Sequence, residues 1–287
     1  MKVSKTISTK FGLILSSLIY VAGILMLSAF TQGYMKESKI VSVNGTTTEI
    51  LCALGLEPAL VGVDVASTYP ASVEKLPKVG HNRNISAEGI VALSPDLIVG
   101  TANDLKAQTI EQLNTANVKT KLFKQEYSVE GTKSLIRQVA TEFKKEAKGE
   151  EIIRQLDADI AGLNKPKTKK KVLFIYARGA GTMMVAGKGT PVQKMIELAG
   201  GENAVNDFND YKPLTAEALV AADPDVLLLF DSGLKSLNGI DGILKIQGVT
   251  ETKAGKNKKI VEMDGQLLTG FGPRLGKALK ELSSKIH

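Results

Sequence analysis

Residues Ser86–Val99 read SAEGIVALSPDLIV, and residues Thr215–Leu228 read TAEALVAADPDVLL. The two stretches align without a gap. Each begins with a hydroxyl residue suited to cap a helix and carries a glutamate in the predicted first turn. An apolar helix, a Pro-Asp turn and an apolar strand follow in both. Such units also recur by chance in α/β proteins, but repetition over this length predicts two lobes of similar build.

Strands and helices alternate on both sides of the repeat. This alternation is typical of parallel sheets covered by helices. The predicted fold class is therefore α/β, with two Rossmann-like lobes that have parallel sheets, are joined by a long helix and enclose a ligand cleft. The predicted strands are Ile40–Val43, Leu60–Val63, Leu97–Gly100, Lys121–Phe123, Val172–Tyr176, Val226–Phe230 and Ile260–Met263.

The lobes are predicted at residues 38–147 and 168–287, with a connecting helix at residues 148–164. Apolar residues recur at helical spacing in the connecting segment, and a helix of this length reaches about 20 Å. Gly149 is expected to separate it from the preceding helix.

Residues 1–33 are predicted to form a secretory signal. Lysines at positions 2, 5 and 10 precede an apolar run from Phe11 to Phe30, which is the usual order of such signals. The run is roughly as long as a membrane span, so an uncleaved anchor is the alternative. Either reading takes the chain out of the cytoplasm.

The composition disfavours several classes of function. The net charge is +7, but aromatic residues make up only 5% and tryptophan is absent, which opposes a base-stacking surface; we expect no nucleic-acid partner. The two histidines, His81 and His287, lack a recognisable catalytic partner motif, and no Walker A sequence occurs. The single cysteine, Cys52, cannot form an internal disulfide and is expected in the core. We therefore expect no enzyme, although an exported enzyme with a cleft active site is an alternative.

Two loops are expected to line the cleft. In open parallel sheets, ligands bind beyond the carboxyl ends of the strands. The loop Asp64–Arg83 follows the strand Leu60–Val63, and the glycine-rich segment Arg178–Lys188 has the corresponding place in the second lobe.

The segment GVDVASTYPASVEKLPKVGHNRNISAEGIVALSPDLIVG, residues 62–100, resembles the heme-binding subfamily of periplasmic substrate-binding proteins for ABC importers. That subfamily belongs with cobalamin- and siderophore-binding proteins whose lobes are joined by a rigid helix. The motif GFGPR at Gly270–Arg274 and the second-lobe segment ARGAGTMMVAGKGTP also fit. The resemblance covers Ser38–His287. Within GFGPR, a helix-start role explains Arg274 at least as well as a ligand contact.

The resemblance implies a function. The chain is expected to be a monomer that binds ferric heme in the periplasm, as transported ligand, and delivers it to the permease of an ABC importer with its ATPase. The alternative is a binding protein for cobalamin or a ferric siderophore on the same fold.

The resemblance also implies roles for five residues. Tyr69 is the implied axial ligand of the heme iron, because a phenolate is a hard anionic donor suited to iron(III). Arg83 and Arg178 are the implied cleft cations, near the phenolate or the propionates. Glu88 and Glu217 are implied to dock on the transporter, one from each lobe. A glutamate in a first helical turn also stabilises the helix, and the two roles are compatible.

Overall fold

Two β-sheets form the framework of the protein. The computed structural model describes residues 38–81, 84–163, 166 and 168–287. The predicted signal at residues 1–33 and the implied cleft residue Arg83 lie outside the described residues. Among the helices that the structure describes, none combines the length and the apolar character that a membrane span requires.

The first sheet is parallel throughout, as predicted. Its strand order is β2-β1-β5-β6, and a separate two-stranded hairpin of β3 and β4 lies in the long loop after β2. The strands are β1 (Ile40–Ser42), β2 (Leu60–Val63), β3 (Gly80–His81), β4 (Asn84–Ile85), β5 (Leu97–Thr101) and β6 (Lys119–Phe123). The helices of this part are α1 (Gly45–Ala53), α2 (Ala87–Ala92), α3 (Ala107–Thr115) and α4 (Val129–Glu142), with 3-10 turns at Glu57–Ala59 and Ala71–Lys75.

The second sheet has the order β10-β8-β7-β11-β12, with β9 also pairing with β7. Its strands are β7 (Lys171–Ala177), β8 (Met183–Ala186), β9 (Glu202–Asn203), β10 (Tyr211–Pro213), β11 (Val226–Phe230) and β12 (Ile260–Met263). The helices that follow α4 are α5 (Glu146–Ala161), α6 (Pro191–Leu198), α7 (Ala216–Ala222), α8 (Asp231–Ser236), α9 (Gly239–Ile243), α10 (Lys253–Lys256), α11 (Gly265–Thr269) and α12 (Leu275–Ile286), with a 3-10 turn at Val249–Glu251.

The second sheet is mixed rather than purely parallel. The strand β8 runs antiparallel to both β7 and β10. The glycine-rich segment expected to be a loop contains a tight turn, in which Gly179 has φ 74° and the Arg178 amide donates to the Thr182 carbonyl at 3.0 Å. Glycine adopts this left-handed conformation without steric cost, and the chain therefore folds back onto β7.

The helix starts of the repeat are equivalent in three dimensions. Ser86 caps α2 by accepting a hydrogen bond from the Gly89 amide at 3.1 Å. Thr215 caps α7 by accepting one from the Ala218 amide at 3.2 Å. The predicted caps are thereby confirmed in both copies.

The Pro-Asp turns of the repeat are equivalent too. An Asp96 carboxylate oxygen accepts a hydrogen bond from the Lys39 amide at 2.9 Å, and the Asp96 amide donates back to the Lys39 carbonyl at 2.8 Å. Asp225 makes the same two bonds with Lys171, at 2.9 and 2.8 Å. Each aspartate directly precedes one strand, β5 or β11, and fixes the start of the neighbouring strand, β1 or β7, beside it. This shared role explains why the turn occurs twice.

The inner faces of the two sheets share one core. Alternate residues of a strand point to opposite faces, so Ile40 and Phe174 enter the shared core, whereas Val41 and Leu173 enter outer cores. Side chains from the helices α1, α4, α5, α6, α11 and α12 also enter the shared core. Burial of one continuous apolar cluster therefore joins the two halves of the chain.

The predicted helix break at Gly149 is wrong. The break lies at residues 143–145, where Lys144 has φ 54°, and Gly149 is buried inside α5. A Cβ atom at Gly149 would lie 2.7 Å from the Cβ of Ala140 on α4. The glycine is therefore needed for close packing of the two helices.

We expect Gly149→Ala to destabilise the protein by on the order of 1 kcal/mol. Alanine gains about 1 kcal/mol in helix propensity, but overpacking a buried contact costs about 1–3 kcal/mol. Chemical denaturation measures the free energy of unfolding. Gly162→Ala is the control, because a Cβ there meets no atom closer than 3.8 Å. A stabilised Gly149→Ala variant would contradict this account of the contact.

Candidate ligand-binding site

The carboxyl ends of the two sheets meet at the segment 264–274, which follows β12. The Gly270 carbonyl accepts hydrogen bonds from Gln125 Nε2, at 3.0 Å, and from the Thr46 hydroxyl. The ring of Phe271 lies 5.4 Å from that of Tyr127. Gln125, Thr46 and Tyr127 all follow strands of the first sheet, so the expected meeting of the two carboxyl edges is present.

Tyr69 lies on the loop after β2 with its side chain 42% exposed. Its hydroxyl makes no hydrogen bond with any residue that the structure describes. Val65, on the same loop, is 45% exposed, and Tyr127 is 38% exposed. These are three of the seven large hydrophobic residues found exposed in the described part of the chain. The carboxyl edge of the first sheet therefore presents both exposed apolar surface and an available phenol.

A buried polar network anchors the Tyr69 loop to the first sheet. The Ser67 hydroxyl donates to the Asp64 carboxylate and lies 2.7 Å from the hydroxyl of Thr48 on α1. Lys78 Nζ donates to the Ser67 carbonyl at 3.0 Å. Burial raises the pKa of Asp64, which the hydrogen bond from Ser67 opposes. Residue 67 is therefore fixed two positions before Tyr69.

Gln266 on α11 holds the same loop from the second sheet. Its Oε1 atom accepts hydrogen bonds from the Tyr69 amide at 3.0 Å, the Thr68 amide at 2.8 Å and the Thr68 hydroxyl at 3.0 Å. Its Nε2 atom donates to the Gly45 carbonyl at 2.9 Å. Gln266 was not predicted as a site residue, because nothing in the local sequence distinguishes this glutamine from a surface residue.

Arg274 is the cation that contacts the Tyr69 ring. Its guanidinium carbon lies 3.6 Å from the ring centroid, and Nη2 and Nε donate to Glu49 Oε2 at 2.8 and 3.0 Å. Burial raises the pKa of Glu49, and the hydrogen bond and charge of Arg274 oppose that rise. Arg274 also immediately precedes α12, so the helix-start position predicted for it and a site contact occur together.

Arg178 occupies the carboxyl edge of the second sheet. It is exposed just after β7, with its guanidinium carbon 5.5 Å from the ring centroid of Tyr176. Tyr176 in turn packs edge-on against Phe230, the last residue of β11, at 6.0 Å between centroids. This edge therefore carries two half-buried aromatic rings and an exposed cation. The role predicted for Arg178 stays a prediction, and Arg83 lies outside the described residues.

Glu88 and Glu217 lie in the first turns of α2 and α7. Both side chains are exposed, and neither forms an ion pair with another described residue. Because Ser86 and Thr215 cap these helices in the same way, the two carboxylates have equivalent places in the two halves of the chain.

A groove of about 630 Å³ opens beside Tyr69. Its walls come from α1, α5, the start of α12 and the Tyr69 loop, and include Cys52, Arg154, Asp159 and Lys277. Cys52 is half-buried rather than fully in the core, and burial raises the pKa of its thiol to about 12.

Two lobes that meet at the carboxyl edges of their sheets define a bilobal solute-binding protein. The chain belongs to the periplasmic binding protein family, because a sequence model of that family matches residues 40–267. Its relatives are substrate-binding proteins of transport systems, and membership favours a location outside the cytoplasm.

Three known proteins illustrate the relationship. The chain is 39% identical to the periplasmic heme-binding protein RhuT from Roseiflexus sp. RS-1 in apo form, with a TM-score of 0.83 over 87% of this chain and 97% of that chain. It is 28% identical to the uncharacterized ABC transporter substrate-binding lipoprotein YvrC of Bacillus subtilis, over 87% of this chain and 80% of the relative. It is 26% identical to the vitamin B12-binding protein of Vibrio parahaemolyticus, over 90% of this chain and 92% of the relative.

The buried carboxylate below the Tyr69 loop predicts a pH effect. Because the pKa of Asp64 is raised, the folded state binds a proton more tightly than the unfolded chain. The stabilising contribution of Asp64 is complete below its ordinary pKa of 3.8 and is lost as the pH rises through the higher folded-state pKa. Asp64→Asn cannot ionise, and its amide can serve both Ser67 and the Ala66 amide.

We therefore expect the free energy of unfolding of the unchanged protein to fall relative to that of Asp64→Asn as the pH rises above the ordinary pKa of 3.8 towards neutrality. Denaturant titrations across this range measure the difference. Parallel pH profiles for the two proteins would show that burial of Asp64 does not control this part of the stability.

Proposed function

We propose that this protein binds ferric heme outside the cytoplasm and delivers it to the permease of an ABC importer. The observation that carries the proposal is Tyr69, an exposed tyrosine at the carboxyl edge whose hydroxyl has no partner among the described residues. A phenolate oxygen is a hard anionic donor and suits iron(III). The backbone of this loop is held by Gln266 and Ser67, so the donor is presented from a fixed position.

The surroundings of Tyr69 fit a flat apolar macrocycle with anionic groups. Val65 and Tyr127 offer exposed apolar surface on the first sheet, and Tyr176 and Phe230 offer aromatic surface on the second. A porphyrin buried between such surfaces gains from apolar burial and from ring packing. Arg178 is placed at the rim of the second sheet, where a guanidinium can pair with a propionate.

Cobalamin is the second candidate ligand. The vitamin B12-binding relative is 26% identical over 90% of this chain, which supports this alternative. Heme is favoured because the similarity to RhuT is higher, at 39% identity, and because cobalamin requires no tyrosinate from the protein. A ferric siderophore, whose iron is already fully chelated, likewise leaves Tyr69 without a role.

The partner is proposed to be the permease with its ATPase. Glu88 and Glu217 occupy equivalent exposed positions, so a permease with two similar cationic sites can engage one carboxylate from each half of the chain. In the same scheme, residues 38–147 and 168–287 act as lobes joined through α5 (Glu146–Ala161), residues 1–33 direct export, and Arg83 supplies a second cleft cation. The protein acts as a monomeric carrier and not as an enzyme.

Tyr69→Phe tests the iron ligand. The unchanged protein should give a high-spin ferric spectrum with a phenolate charge-transfer band on titration with hemin. The variant keeps the ring but lacks the oxygen, so the band should disappear and hemin release should accelerate on the order of tenfold or more, which is about 1.4 kcal/mol. Absorption titration and stopped-flow transfer to apomyoglobin measure the two effects.

Tyr127→Phe is the matched control for Tyr69→Phe, since it removes a hydroxyl from another exposed tyrosine at the same edge. Its spectrum and release rate should match those of the unchanged protein. An unchanged band in Tyr69→Phe would place the iron elsewhere. Tight binding of cobalamin, without binding of hemin, would establish the alternative ligand.

Changing both Glu88 and Glu217 to Arg should abolish uptake while leaving hemin affinity nearly unchanged. The new charges repel a cationic docking surface, whereas the bonds that hold the Tyr69 loop, to Ser67 and Gln266, involve neither glutamate. Uptake into vesicles that contain the importer measures the effect. Glu111→Arg combined with Glu202→Arg is the control, because it makes the same change of net charge at other exposed carboxylates. Normal uptake by the first double variant would refute the docking role.

A further inference from the structure

Gln266 connects the Tyr69 loop to the second half of the molecule. We infer that Gln266 is a positioning residue for Tyr69, and that the strength of ligand binding therefore depends on how the two sheets are held together. This inference rests on the proposed function, since Tyr69 is taken as the iron ligand.

The loop depends on Gln266 for its backbone bonding. The amides of Thr68 and Tyr69 belong to no helix or strand, and both donate to Gln266 Oε1, at 2.8 and 3.0 Å. The Thr68 hydroxyl donates to the same oxygen at 3.0 Å. Backbone amides need an acceptor, and one oxygen from the other sheet supplies it for the residue that carries the phenol and for its neighbour.

Glutamine suits this position better than its closest substitutes. While Oε1 accepts from the loop, Nε2 donates to the Gly45 carbonyl at 2.9 Å and lies 3.4 Å from Glu49 Oε2. A carboxylate would keep the acceptor but lose the donor and would repel Glu49. An aliphatic side chain would leave the carbonyl and both loop amides without this partner.

Gln266 moves with the second sheet. It lies on α11, whose first turn is capped by Asp264, which accepts from the Leu267 amide at 2.7 Å. Leu268 of the same helix is fully buried in the shared core. Met263, the last residue of β12 and the residue directly before Asp264, pairs with Phe230 in the second sheet. The acceptor of the Tyr69 loop is therefore fixed to β12, whereas Ser67 fixes the loop to the first sheet.

This arrangement couples the position of Tyr69 to the spacing of the two sheets. When the sheets move apart, the Tyr69 loop keeps the Ser67 anchor but loses Gln266, so its two amides are freed and the phenol is less well positioned. A transporter that binds both lobes can thus weaken the iron bond without touching Tyr69. The bond from Gln125 to the Gly270 carbonyl also crosses between the sheets, but it does not contact the Tyr69 loop.

The test compares Gln266→Met with Gln125→Met. Methionine keeps the length of the side chain and removes its polar groups. Gln266→Met deletes the three bonds to the Tyr69 loop and the bond to the Gly45 carbonyl, whereas Gln125→Met deletes one bond between the sheets that does not involve this loop. Hemin release is measured for both variants with Tyr69 present and again in the Tyr69→Phe background. We expect Gln266→Met to accelerate release several-fold with Tyr69 present and to have almost no effect without it. Gln125→Met should change the rate of hemin release by the same factor in both backgrounds.

Equal acceleration by Gln266→Met in both backgrounds would overturn the inference, since Gln266 would then stabilise the cleft in general. Gln266→Asn, which keeps both polar groups on a shorter side chain, serves as a second variant if Gln266→Met fails to fold. Its release rate should lie between those of the unchanged protein and the methionine variant, and unchanged release in it would also oppose the inference.

Amide hydrogen exchange of the ligand-free protein separates this inference from the proposed function. The peptide containing Thr68 and Tyr69 should exchange faster in Gln266→Met than in Gln125→Met. Unchanged exchange would overturn the positioning role whatever the ligand. Faster exchange in a protein that gives no phenolate band with hemin would instead refute the heme assignment and the coupling to ligand release.

Discussion

A buried ion pair between Glu49 and Arg274 is the contact on which the binding site depends. Glu49 lies on α1 beside the first sheet, and Arg274 precedes α12 beside the second, so one interaction joins the two halves. Removing one partner of such a pair leaves an uncompensated buried charge, at a cost of about 3–5 kcal/mol. The same guanidinium packs against the Tyr69 ring. The position of Tyr69, the proposed iron ligand, therefore depends on the ion pair between Arg274 and Glu49.

The fold was predictable where the signal is local. The repeated stretch indicated two related halves, and the equivalent bonds of Asp96 and Asp225 explain why its sequence recurs. The antiparallel strand β8 was not predicted. A glycine-rich segment indicates a turn, but it does not indicate that the chain after the turn pairs with β7. Gly149 was misread for a similar reason. A glycine that breaks a helix and one that lets two helices approach look alike until Ala140 is placed opposite.

The site was predictable only in part. Tyr69 stood out because it lies in a motif at the end of a predicted strand. The structure places it on an exposed loop, and its role as the iron ligand stays a prediction. Gln266 and Arg274 reach their partners across 197 and 225 residues of sequence, so no periodicity or spacing links them. The GFGPR motif was the one signal near Arg274, and it did not specify a partner.

Cys52 gives the protein a built-in chemical reporter. It is the single cysteine of the chain and lines the groove beside Tyr69. A thiol with a pKa of about 12 is almost entirely protonated at neutral pH, and the thiolate is the form that reacts with alkylating reagents. Maleimide labelling of the folded protein is therefore slow, and any motion that hydrates the groove accelerates it. The labelling rate can follow movement between α1 and α5 in the natural sequence, without an engineered probe.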